Sequence, residues 1–514
     1  MAKITKTQLE NLLLDACDII RGKAEASQFK ELIFGIIFLK RLSDQFDQDK
    51  NAAIAKWEAE GKSQKVINRL LENQTFAVFK LPKEAHWNSL KDLTEKVGKK
   101  LTKALKEIEE ENEEIETDLL KQIDYTKKIG NKAISDTVLK NLINHFDSKI
   151  PLSDEDFAFE DLLGTCYEYL IAHFADNSGK KGGEHYTPSE VVRLMVGLVE
   201  PTEGMHIYDP TVGSGGMLIQ SRKYVESRGG NSENLRLYGQ DSEGSAWRIC
   251  TINHILHGAY SQMNIKQGDT LNEPLHANGG TGRIFDRVLA NPPFSQDYSW
   301  AELPGNEAAK EVRFPIRLPE KDKGDFMFVQ HMLNVLKEDG KCATVVPLGP
   351  LFRGGKELEA RKKFIDEKTL RAVIALPLSL FYNTSIQAAI MIFDMVGGED
   401  RPGVLFINAS KGFEDRAKQN KLREEDIEKI LYVYRNPEVS VPYYSQIVTW
   451  AELISEEGAY NCNVRRWVDN TDLPTPQDVR AHLHGGVPLS EIEIAANYWS
   501  AYNTVRGDVF QEGE

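Results

Sequence analysis

The stretch that decides the fold is HIYDPTVGSGGMLIQ, residues 206–220. An apolar strand runs into Asp209, and Gly213 and Gly215 then open a helix. Glycines at such a strand-to-helix turn let a ligand approach the backbone and place it at the amino terminus of the helix. The spacing matches neither a P-loop, which needs Lys and Ser or Thr after the glycines, nor the dinucleotide G-x-G-x-x-G pattern. The turn therefore favours a zwitterionic or cationic ligand, with its positive group facing Asp209, over a triphosphate.

Short apolar strands alternate with helices through the middle of the chain. The predicted strands are MHIYD (205–209), LRLYGQD (235–241), NIKQGD (264–269), FDRVLAN (285–291), KCATVVP (341–347), LRAVIALP (370–377) and AAIMIFDM (388–395), with VLFINAS (404–410) as an edge strand. The predicted helices between them include residues 215–228, 245–258 and 324–340. This alternation is typical of an α/β fold with a doubly wound, mostly parallel sheet, whose ligands bind at the carboxyl ends of the strands.

Residues 1–150 show a different pattern, with apolar residues at three- and four-residue spacing and few strand signals. The stretches that carry it are LENLLLDACDIIRG (9–22), QFKELIFGIIFLKRLSDQF (28–46) and the acidic KKLTKALKEIEEENEEIETDLLKQI (99–123). They predict an N-terminal helical domain that serves for support or for docking of a partner or DNA. A central α/β domain over 151–470 and a helical C-terminal tail over 471–514, expected to contact another subunit, complete the predicted organisation.

Composition and charge limit the classes of function. The 514 residues carry a formal net charge of −15, which argues against a protein that coats nucleic acid through bulk positive potential. The five cysteines lie far apart and fit neither a zinc pattern nor a disulfide framework, so we expect no metal site. The longest apolar run, residues 32–39, is too short to span a bilayer, and the first residues lack the apolar core of a signal peptide. We therefore expect a cytoplasmic protein without a membrane segment.

Acidic residues end the two predicted strands that follow the glycine turn. Asp241 closes LRLYGQD, where an acidic side chain characteristically accepts hydrogen bonds from both hydroxyls of a ribose. Asp269 closes the following strand and can accept a hydrogen bond from an adenine amino group. A single aspartate after a strand is usually a helix cap. Three acidic strand ends in a row, counted from Asp209, together with the glycine turn favour a nucleoside pocket.

The next strand runs into the sequence NPPF, residues 291–294. The Asn291 amide oxygen and the Pro292 carbonyl oxygen can both accept hydrogen bonds, and Pro293 fixes the backbone and removes a competing donor. Phe294 offers a flat face on which a planar ring can stack. Two acceptors beside a stacking face suit an exocyclic amino group on a heterocycle, because acceptors for both N–H bonds favour the pyramidal nitrogen that attacks. We therefore interpret NPPF as a catalytic motif.

These motifs resemble those of a known family. DPTVGSGG (209–216) followed by NPPF is similar to S-adenosylmethionine-dependent amino-methyltransferases that act on adenine N6, and GGEHYTPSEVV (182–192) is similar to the additional cofactor motif of their gamma class. A wider set of stretches resembles the modification subunit of type I restriction–modification systems, from about residue 10 to 470: IIRGKAEASQFKELIFGIIFLKRLSDQF, YEYLIAHFA, PLGPLFRGGKELEARKKFI, LPLSLFYNTSIQAAIMIF and NCNVRRWVD. The resemblance implies a Rossmann-like class I methyltransferase fold and adenine-specific DNA methylation.

The resemblance also implies a role for each motif residue. The catalytic motif would be Asn291, Pro292, Pro293 and Phe294. The residues implied to bind S-adenosylmethionine are Glu184, Tyr186, Thr187, Pro188, Asp209, Pro210, Gly213, Ser214, Gly215, Asp241 and Asp269. Of these, Asp209 would hold the methionine end, Asp241 the ribose and Asp269 the adenine. Phe381 or Tyr382 would help to hold the flipped base.

Two positions depart from the family pattern. His185 stands where an aromatic residue is more usual, and Val212 stands where Cys or Ala is common. Neither change removes a hydrogen-bonding group on which the assigned roles depend, so we expect the activity to be retained.

The sequence contains no obvious module that reads base edges, no ATPase P-loop and no convincing nuclease motif. Together with the negative charge, this favours sequence specificity that comes from another subunit. The resemblance implies a specificity subunit that binds two copies of this chain, a separate restriction or motor subunit, and double-stranded DNA with a flipped adenine as substrate.

Two alternatives remain open from the residues. The Asn-Pro-Pro-aromatic motif alone also fits methylation of a protein glutamine amide or an RNA base. A scaffold that binds the cofactor without turnover is the other alternative, and the intact NPPF disfavours it.

Overall fold

The computed structural model describes the chain in several segments. They are residues 3–20, 26–77, 79–112, 119–129, 132–147, 152, 166, 169–170, 187–257, 259–321, 323–381, 386–416, 419–471, 485–488, 492–493 and 509–510. The chain divides into one unit from Met1 to Asp469 and another from Asn470 to Glu514, and most of the predicted C-terminal tail lies outside the described residues. None of the helices in these segments combines the length and the apolar character that a bilayer crossing requires.

The N-terminal region is helical, as its spacing predicts. Its elements are α1 (Lys6–Ile20), α2 (Ala26–Ala59), α3 (Gln64–Glu72), α4 (Trp87–Leu90), α5 (Val97–Glu111) and α6 (Asp136–Asp147), with an antiparallel pair of short strands, β1 (Lys128–Ile129) and β2 (Lys132–Ala133). Helix α5 buries Leu101, Leu105 and Ile108, which recur every three or four residues along one face. Helix α2 buries residues 32–39 completely, because this apolar run lies among the other helices of the region.

Within the acidic stretch 99–123, whose spacing is typical of helices, helix α5 ends at Glu111. Asn112 leaves the helical conformation, with φ −117° and ψ 82°. Its side-chain amide donates to the carbonyl of Ile108, 2.6 Å away, and to the carbonyl of Lys80, 2.9 Å away. These bonds satisfy a carbonyl of the last turn and tie the helix end to another segment, so the helix stops where its acidic run continues.

The central region is built on one nine-stranded sheet. Its strands are β3 (His206–Asp209), β4 (Arg236–Asp241), β5 (Met263–Gln267), β6 (Phe285–Ala290), β7 (Leu336–Pro347), β8 (Leu370–Ala375), β9 (Ala388–Asp394), β10 (Gly403–Asn408) and β11 (Ser445–Thr449), in the order β11-β10-β8-β9-β7-β6-β3-β4-β5. Five of the eight pairings in this described sheet are parallel; β9 runs antiparallel to β7 and β8, and β11 to β10. The predicted fold class is confirmed.

Helices cover both faces of this sheet. They are α7 (Ser189–Val199), α8 (Gly216–Ser227), α9 (Gly244–Leu256), α10 (Ala277–Gly280), α11 (Glu307–Arg313), α12 (Asp325–Val335), α13 (Lys356–Asp366), α14 (Glu424–Arg435), α15 (Trp450–Ile454) and α16 (Val464–Trp467). Along β9 every residue is buried: Ile390 and Ile392 belong to the buried cluster that includes residues of α7, α8 and α14, whereas Met391 and Phe393 belong to the cluster that includes α12 and α13. A strand buried on both sides reads as a continuous apolar run, and the sequence of β9 is apolar from Ala388 to Phe393.

Two predictions about the sheet need correction. Residues 404–410 were expected to form an edge strand, but β10 lies between β8 and β11, and all six of its residues are buried. The predicted helix over 324–340 ends at Val335, and the chain passes directly into β7, where Leu336 pairs with Phe285. The strands predicted for β3 to β9 are confirmed.

The strand directions bring several chain turns to one edge of the sheet. Strands β3, β4, β5, β6, β7 and β8 all point the same way, so their carboxyl ends share that edge. Ligands of doubly wound sheets bind at this edge. The sequences that follow the strands there include the glycine turn, the two later aspartates and NPPF.

One side chain of α9 connects the sheet to the N-terminal region. The guanidinium of buried Arg248 donates to Glu31 on α2 at 2.6 Å and to the amide oxygen of Gln122 at 2.5 Å. A charge-assisted bond at this distance is among the stronger polar contacts in proteins. The helical region and the sheet are therefore joined through α9.

Candidate active site

The glycine turn after β3 is fastened to the end of β4. The N–H of Val212 donates to the carbonyl of Gln240 at 3.0 Å, and the N–H of Gly213 donates to the Asp241 carboxylate at 2.9 Å. Gly213 has φ +53° and Gly215 has φ +85°, a left-handed conformation that favours glycine. These hydrogen bonds within the protein hold the shape of the turn in the absence of a ligand.

The two left-handed glycines differ in what surrounds them. A Cβ added at Gly215 would lie 2.4 Å from Cε1 of His254 and 2.8 Å from Sγ of Cys250, two buried side chains of α9. A Cβ added at Gly213 would meet nothing within 4 Å. Gly215 thus allows close packing of the turn against α9, whereas Gly213 borders open space at the site.

Helix α9 also supports the turn through a hydrogen bond. The side-chain amide of Asn253 donates to the carbonyl of Ser214 at 3.2 Å. Sequence reasoning did not single out Asn253 or His254, because their contacts with the turn cross about forty residues of chain and leave no local pattern.

Asp209, at the end of β3, is a buried carboxyl group. It accepts a hydrogen bond from the Thr211 N–H at 2.9 Å. Burial raises the pKa of Asp209 to about 8, and the nearby Asp241 carboxylate acts in the same direction. A buried carboxylate of this kind is stabilised by a cation placed beside it.

Asp241 uses both of its oxygens to shape the site. One accepts from the Gly213 N–H and the other from the Glu243 N–H, each at 2.9 Å. These two contacts fix the orientation of the carboxylate at the end of β4.

Asp269 lies two residues beyond β5 and is partly exposed. Its carboxylate accepts from the N–H groups of Leu271 at 2.8 Å and of Asn272 at 3.0 Å, which closes a tight turn. The next residue, Thr270, donates its hydroxyl to the carbonyl of Pro210. This bond joins the Asp269 turn directly to the glycine turn.

A buried arginine that sequence reasoning missed holds the same turn. The Arg313 guanidinium donates to the carbonyl of Leu271 at 2.7 Å and to that of Thr270 at 2.5 Å, while its Nε donates to His331 at 3.1 Å. Burial lowers the pKa of Arg313 to about 10. The segment around Arg313 carries no motif, and only the tertiary structure reveals the contact.

Asn291 of the NPPF motif is buried and contacts the upstream motif. Its side-chain amide donates to the hydroxyl of Thr187 at 2.9 Å. Pro188 follows and precedes α7, where its carbonyl accepts from the N–H of Val192. Two segments that lie 104 residues apart in the chain therefore meet at the end of β6.

Two aromatic rings meet beside Asn291. The centroids of Phe294 and Phe381 lie 6.2 Å apart and their planes are inclined at 71°, an edge-to-face arrangement. Phe294 is partly buried and Phe381 is buried, and they follow β6 and β8 respectively. The ring pair therefore lies at the same edge of the sheet as the aspartates.

The structure brings most of the predicted site residues to this edge. Contacts join Thr187 to Asn291, Gly213 to Asp241, and the turn of Asp269 to Pro210. Three predicted residues, Glu184, Tyr186 and Tyr382, lie outside the described residues. The arrangement offers a buried carboxyl group, a ribose-type acceptor and an amide beside aromatic rings in neighbouring positions, which suits a nucleoside with a cationic group and a second planar ring.

Comparison with known proteins gives consistent matches. The family model described as N-6 DNA Methylase matches residues 158–474, and the one described as HsdM N-terminal domain matches residues 9–146. The type I restriction enzyme MjaVIII methylase subunit of Methanocaldococcus jannaschii is 31% identical, over 98% of this chain and 86% of that protein. The HindI methylase subunit of Haemophilus influenzae is 29% identical, over 68% of this chain and 80% of that protein.

Solved structures agree with the sequence matches. The crystal structure of the type I restriction-modification system methyltransferase subunit from Streptococcus thermophilus is similar with a TM-score of 0.72 and 28% identity, over 91% of this chain and 100% of that chain. A modification subunit of a putative type I restriction enzyme from Vibrio vulnificus has the same fold, with a TM-score of 0.60 over 92% of this chain and 98% of that chain, at 19% identity.

Proposed function

Because the chain belongs to the N-6 DNA methylase family and is a type I restriction enzyme methylase subunit, we propose that it methylates N6 of adenine in DNA with S-adenosylmethionine as donor. The observation that carries the proposal is the position of Asn291 and the glycine turn at the carboxyl ends of the adjacent strands β6 and β3. A methyl acceptor held at one strand end would then lie next to a donor held at the other.

The residues at the glycine turn fit this cofactor. Gly213 borders open space, and the buried Asp209 carboxyl group, with its raised pKa, is stabilised by a cation. When bound, the cofactor supplies a sulfonium methyl group that leaves a neutral thioether. In our proposal Asp209 binds the ammonium of the methionine end, Asp241 accepts from the ribose hydroxyls, and the Asp269 turn faces the adenine.

The remaining predicted cofactor residues are proposed to shape the pocket. Pro210, Ser214 and Gly215 belong to the turn itself, and Thr187 and Pro188, just before α7, would border the bound cofactor. Glu184 and Tyr186 keep the flanking role that the family motif implies.

Asn291 is proposed to hold the amino group of the target adenine. Donation from Nδ2 to the Thr187 hydroxyl turns the amide so that its oxygen points away from Thr187. That oxygen and the carbonyl of Pro292 would accept the two N6 hydrogens, while Pro293 keeps the backbone rigid. Phe294 would stack on the extruded base, and Phe381 or Tyr382 would help to hold it. Positioning then supplies most of the rate acceleration, because the leaving group is neutral.

Sequence specificity is proposed to come from a partner. With a net charge of −15, the chain lacks the bulk positive potential that binds DNA unaided. We infer that a specificity subunit binds two copies of this chain through the N-terminal helical region and the C-terminal tail. A restriction or motor subunit completes the assembly, and its substrate is double-stranded DNA with a flipped adenine.

The test is Asn291→Ala in the chain co-expressed with its specificity subunit. N6-methyladenine in the host DNA, measured by mass spectrometry of nucleosides, should disappear, while cofactor affinity stays within about twofold because the substitution removes no proposed cofactor contact. Asn264→Ala, at an exposed position of β5, is the matched control and should methylate normally. Normal methylation by Asn291→Ala would refute the assigned role. Methyl groups on RNA or on protein glutamine, with DNA unmodified, would instead refute the proposed substrate.

A further inference from the structure

The chain takes an unusual conformation immediately after the NPPF motif. Ser295 has φ +54°, in the left-handed region that residues with a side chain rarely adopt. Such a conformation persists only where surrounding contacts hold it, and it is concentrated at functional sites. The contacts that hold it here come from the start of α12.

Gly324, which precedes α12, and Asp325, its first residue, hold the two residues after Phe294. The Asp325 carboxylate accepts from the Ser295 N–H at 2.9 Å, and the Gly324 N–H donates to the Gln296 carbonyl at 2.9 Å. The two hydrogen bonds join two consecutive residues at the helix start to two consecutive residues of the loop. Together they fix both the direction and the position of the chain after Phe294.

Gly324 allows this approach because it has no side chain. A Cβ at that position would lie 2.6 Å from the Gln296 carbonyl oxygen, a backbone atom that cannot move without moving the loop. The backbone of Gly324 itself is right-handed, with φ −68°. The need for glycine therefore comes from the neighbouring loop and not from the helix start.

Asp325 is buried, and its second carboxylate oxygen has no hydrogen-bond partner among the described residues. Burial raises the pKa of Asp325 to about 6; Glu357 adds to the increase and Arg353 opposes it. Asp325 is the first residue of α12, where the positive end of the helix dipole also stabilises a carboxylate. Its side-chain hydrogen bond from the Ser295 N–H ties this helix start to the loop that follows Phe294.

We propose that Gly324 and Asp325 are positioning residues, which fix the chain after Phe294 and thereby set the plane on which the target base stacks. The inference rests on the proposed function and assigns to α12 a part in it. It predicts that disturbing this grip slows methyl transfer and loosens the held base, while the cofactor, which binds at β3 to β5, is unaffected.

The decisive variant is Gly324→Ala, compared with Gly354→Ala. Gly354 lies in an exposed loop after β7, and a Cβ there would meet nothing within 4 Å. The assay contains the specificity subunit and a DNA duplex that carries 2-aminopurine at the target adenine, so that fluorescence reports how the extruded base is held. The fluorescence with Gly324→Ala should differ from that with the wild type. On the unlabelled duplex Gly324→Ala should lower kcat by roughly tenfold to a hundredfold, with cofactor affinity unchanged. Gly354→Ala should match the wild type in all three measurements.

A second pair of variants tests the carboxylate. Asp325→Asn keeps an oxygen that can accept from Ser295 and should retain most of the activity, whereas Asp325→Ala should lose it to the same extent as Gly324→Ala. If the unfolding midpoint shows that Gly324→Ala does not fold, the two Asp325 variants test the positioning role on their own.

The outcomes separate this inference from the proposed function. If the wild type methylates adenine and Gly324→Ala and Asp325→Ala do so at the wild-type rate, the positioning role is wrong. The positioning role would also be wrong if the variants lost cofactor affinity by the same factor as kcat, because the contacts of Gly324 and Asp325 would then support the whole site. If the wild type itself yields no N6-methyladenine, the proposed function has failed.

Discussion

Cofactor binding should weaken as the pH falls from 7 to 6, because the buried Asp209 carboxyl group must ionise to receive an ammonium group. Burial, aided by Asp241 and only partly offset by the Thr211 N–H, raises the pKa of Asp209 to about 8. The free protein therefore holds a proton there at neutral pH. Binding of a cation beside Asp209 lowers its pKa and releases that proton.

The size of the effect follows from the pKa. With a pKa of about 8, the ionised fraction in the free protein falls from roughly 0.09 at pH 7 to roughly 0.01 at pH 6, so Kd should rise about ninefold. Stability changes in the opposite direction. A group whose pKa is raised in the folded state stabilises the fold at low pH, and this contribution is lost as the pH rises through about 8. The unliganded chain should therefore become less stable over the range in which binding strengthens.

Isothermal titration of the full chain with S-adenosylhomocysteine measures the Kd and the number of protons released on binding. This probe has the same amino-acid end as the cofactor, and its ammonium stays largely protonated up to pH 7. Titrations in two buffers of different ionisation enthalpy should show about one proton released per site at pH 7. Asp209→Asn is the matched control, since its amide oxygen can still accept from the Thr211 N–H; it should bind with little pH dependence and release no proton.

The same Kd for the wild type at pH 6 and pH 7 would refute this reasoning. It would mean that Asp209 is already ionised in the free protein or does not face the cofactor. If the Kd of Asp209→Asn depended on pH as strongly as that of the wild type, a group other than Asp209 would be responsible for the pH dependence.

Three further substitutions test the contacts that hold the two turns proposed to bind the cofactor. Thr270→Val removes the hydrogen bond from the Thr270 hydroxyl to the Pro210 carbonyl at nearly constant side-chain volume. Leaving that carbonyl unpaired should cost about 1–3 kcal/mol of free energy, so the cofactor Kd should rise at least fivefold while kcat at saturation stays unchanged. Gly215→Ala should lower the denaturant midpoint of unfolding more than Gly213→Ala does. Both positions have a left-handed backbone, but only a methyl group at 215 would collide with His254, which should cost about 1–3 kcal/mol of additional stability. Equal midpoints for the two variants would contradict this prediction.

The sequence predicted the centre of the fold better than its margins. Strands such as β3 and β6 are short apolar runs that end on a glycine turn or on NPPF, so each has a local signal. In the edge strand β11 only Ser445 and Val448 are buried and its sequence carries no such signal, so it was missed. The misassignment of β10 has the same cause, because whether a strand lies at an edge depends on a partner elsewhere in the chain.

The candidate site divides in the same way. The residues proposed to touch ligands, such as Asp209 and Asn291, belong to contiguous motifs and could be predicted from them. The residues that hold those motifs in place, such as Arg313, Asn253 and Asp325, contact them across long stretches of chain. A support of this kind needs only a hydrogen-bonding group at the right place in space, which leaves no spacing rule in the sequence.

Helix α9 carries a consequence for any attempt to shorten the protein. Arg248 on this helix is paired with Glu31 of the N-terminal region, while Asn253 and His254, farther along the same helix, brace the glycine turn. Removing the first 150 residues would leave the Arg248 guanidinium without Glu31 and Gln122, on the helix that holds the proposed cofactor turn. We expect such a truncated enzyme to bind S-adenosylmethionine poorly even though every proposed ligand-contacting residue is still present.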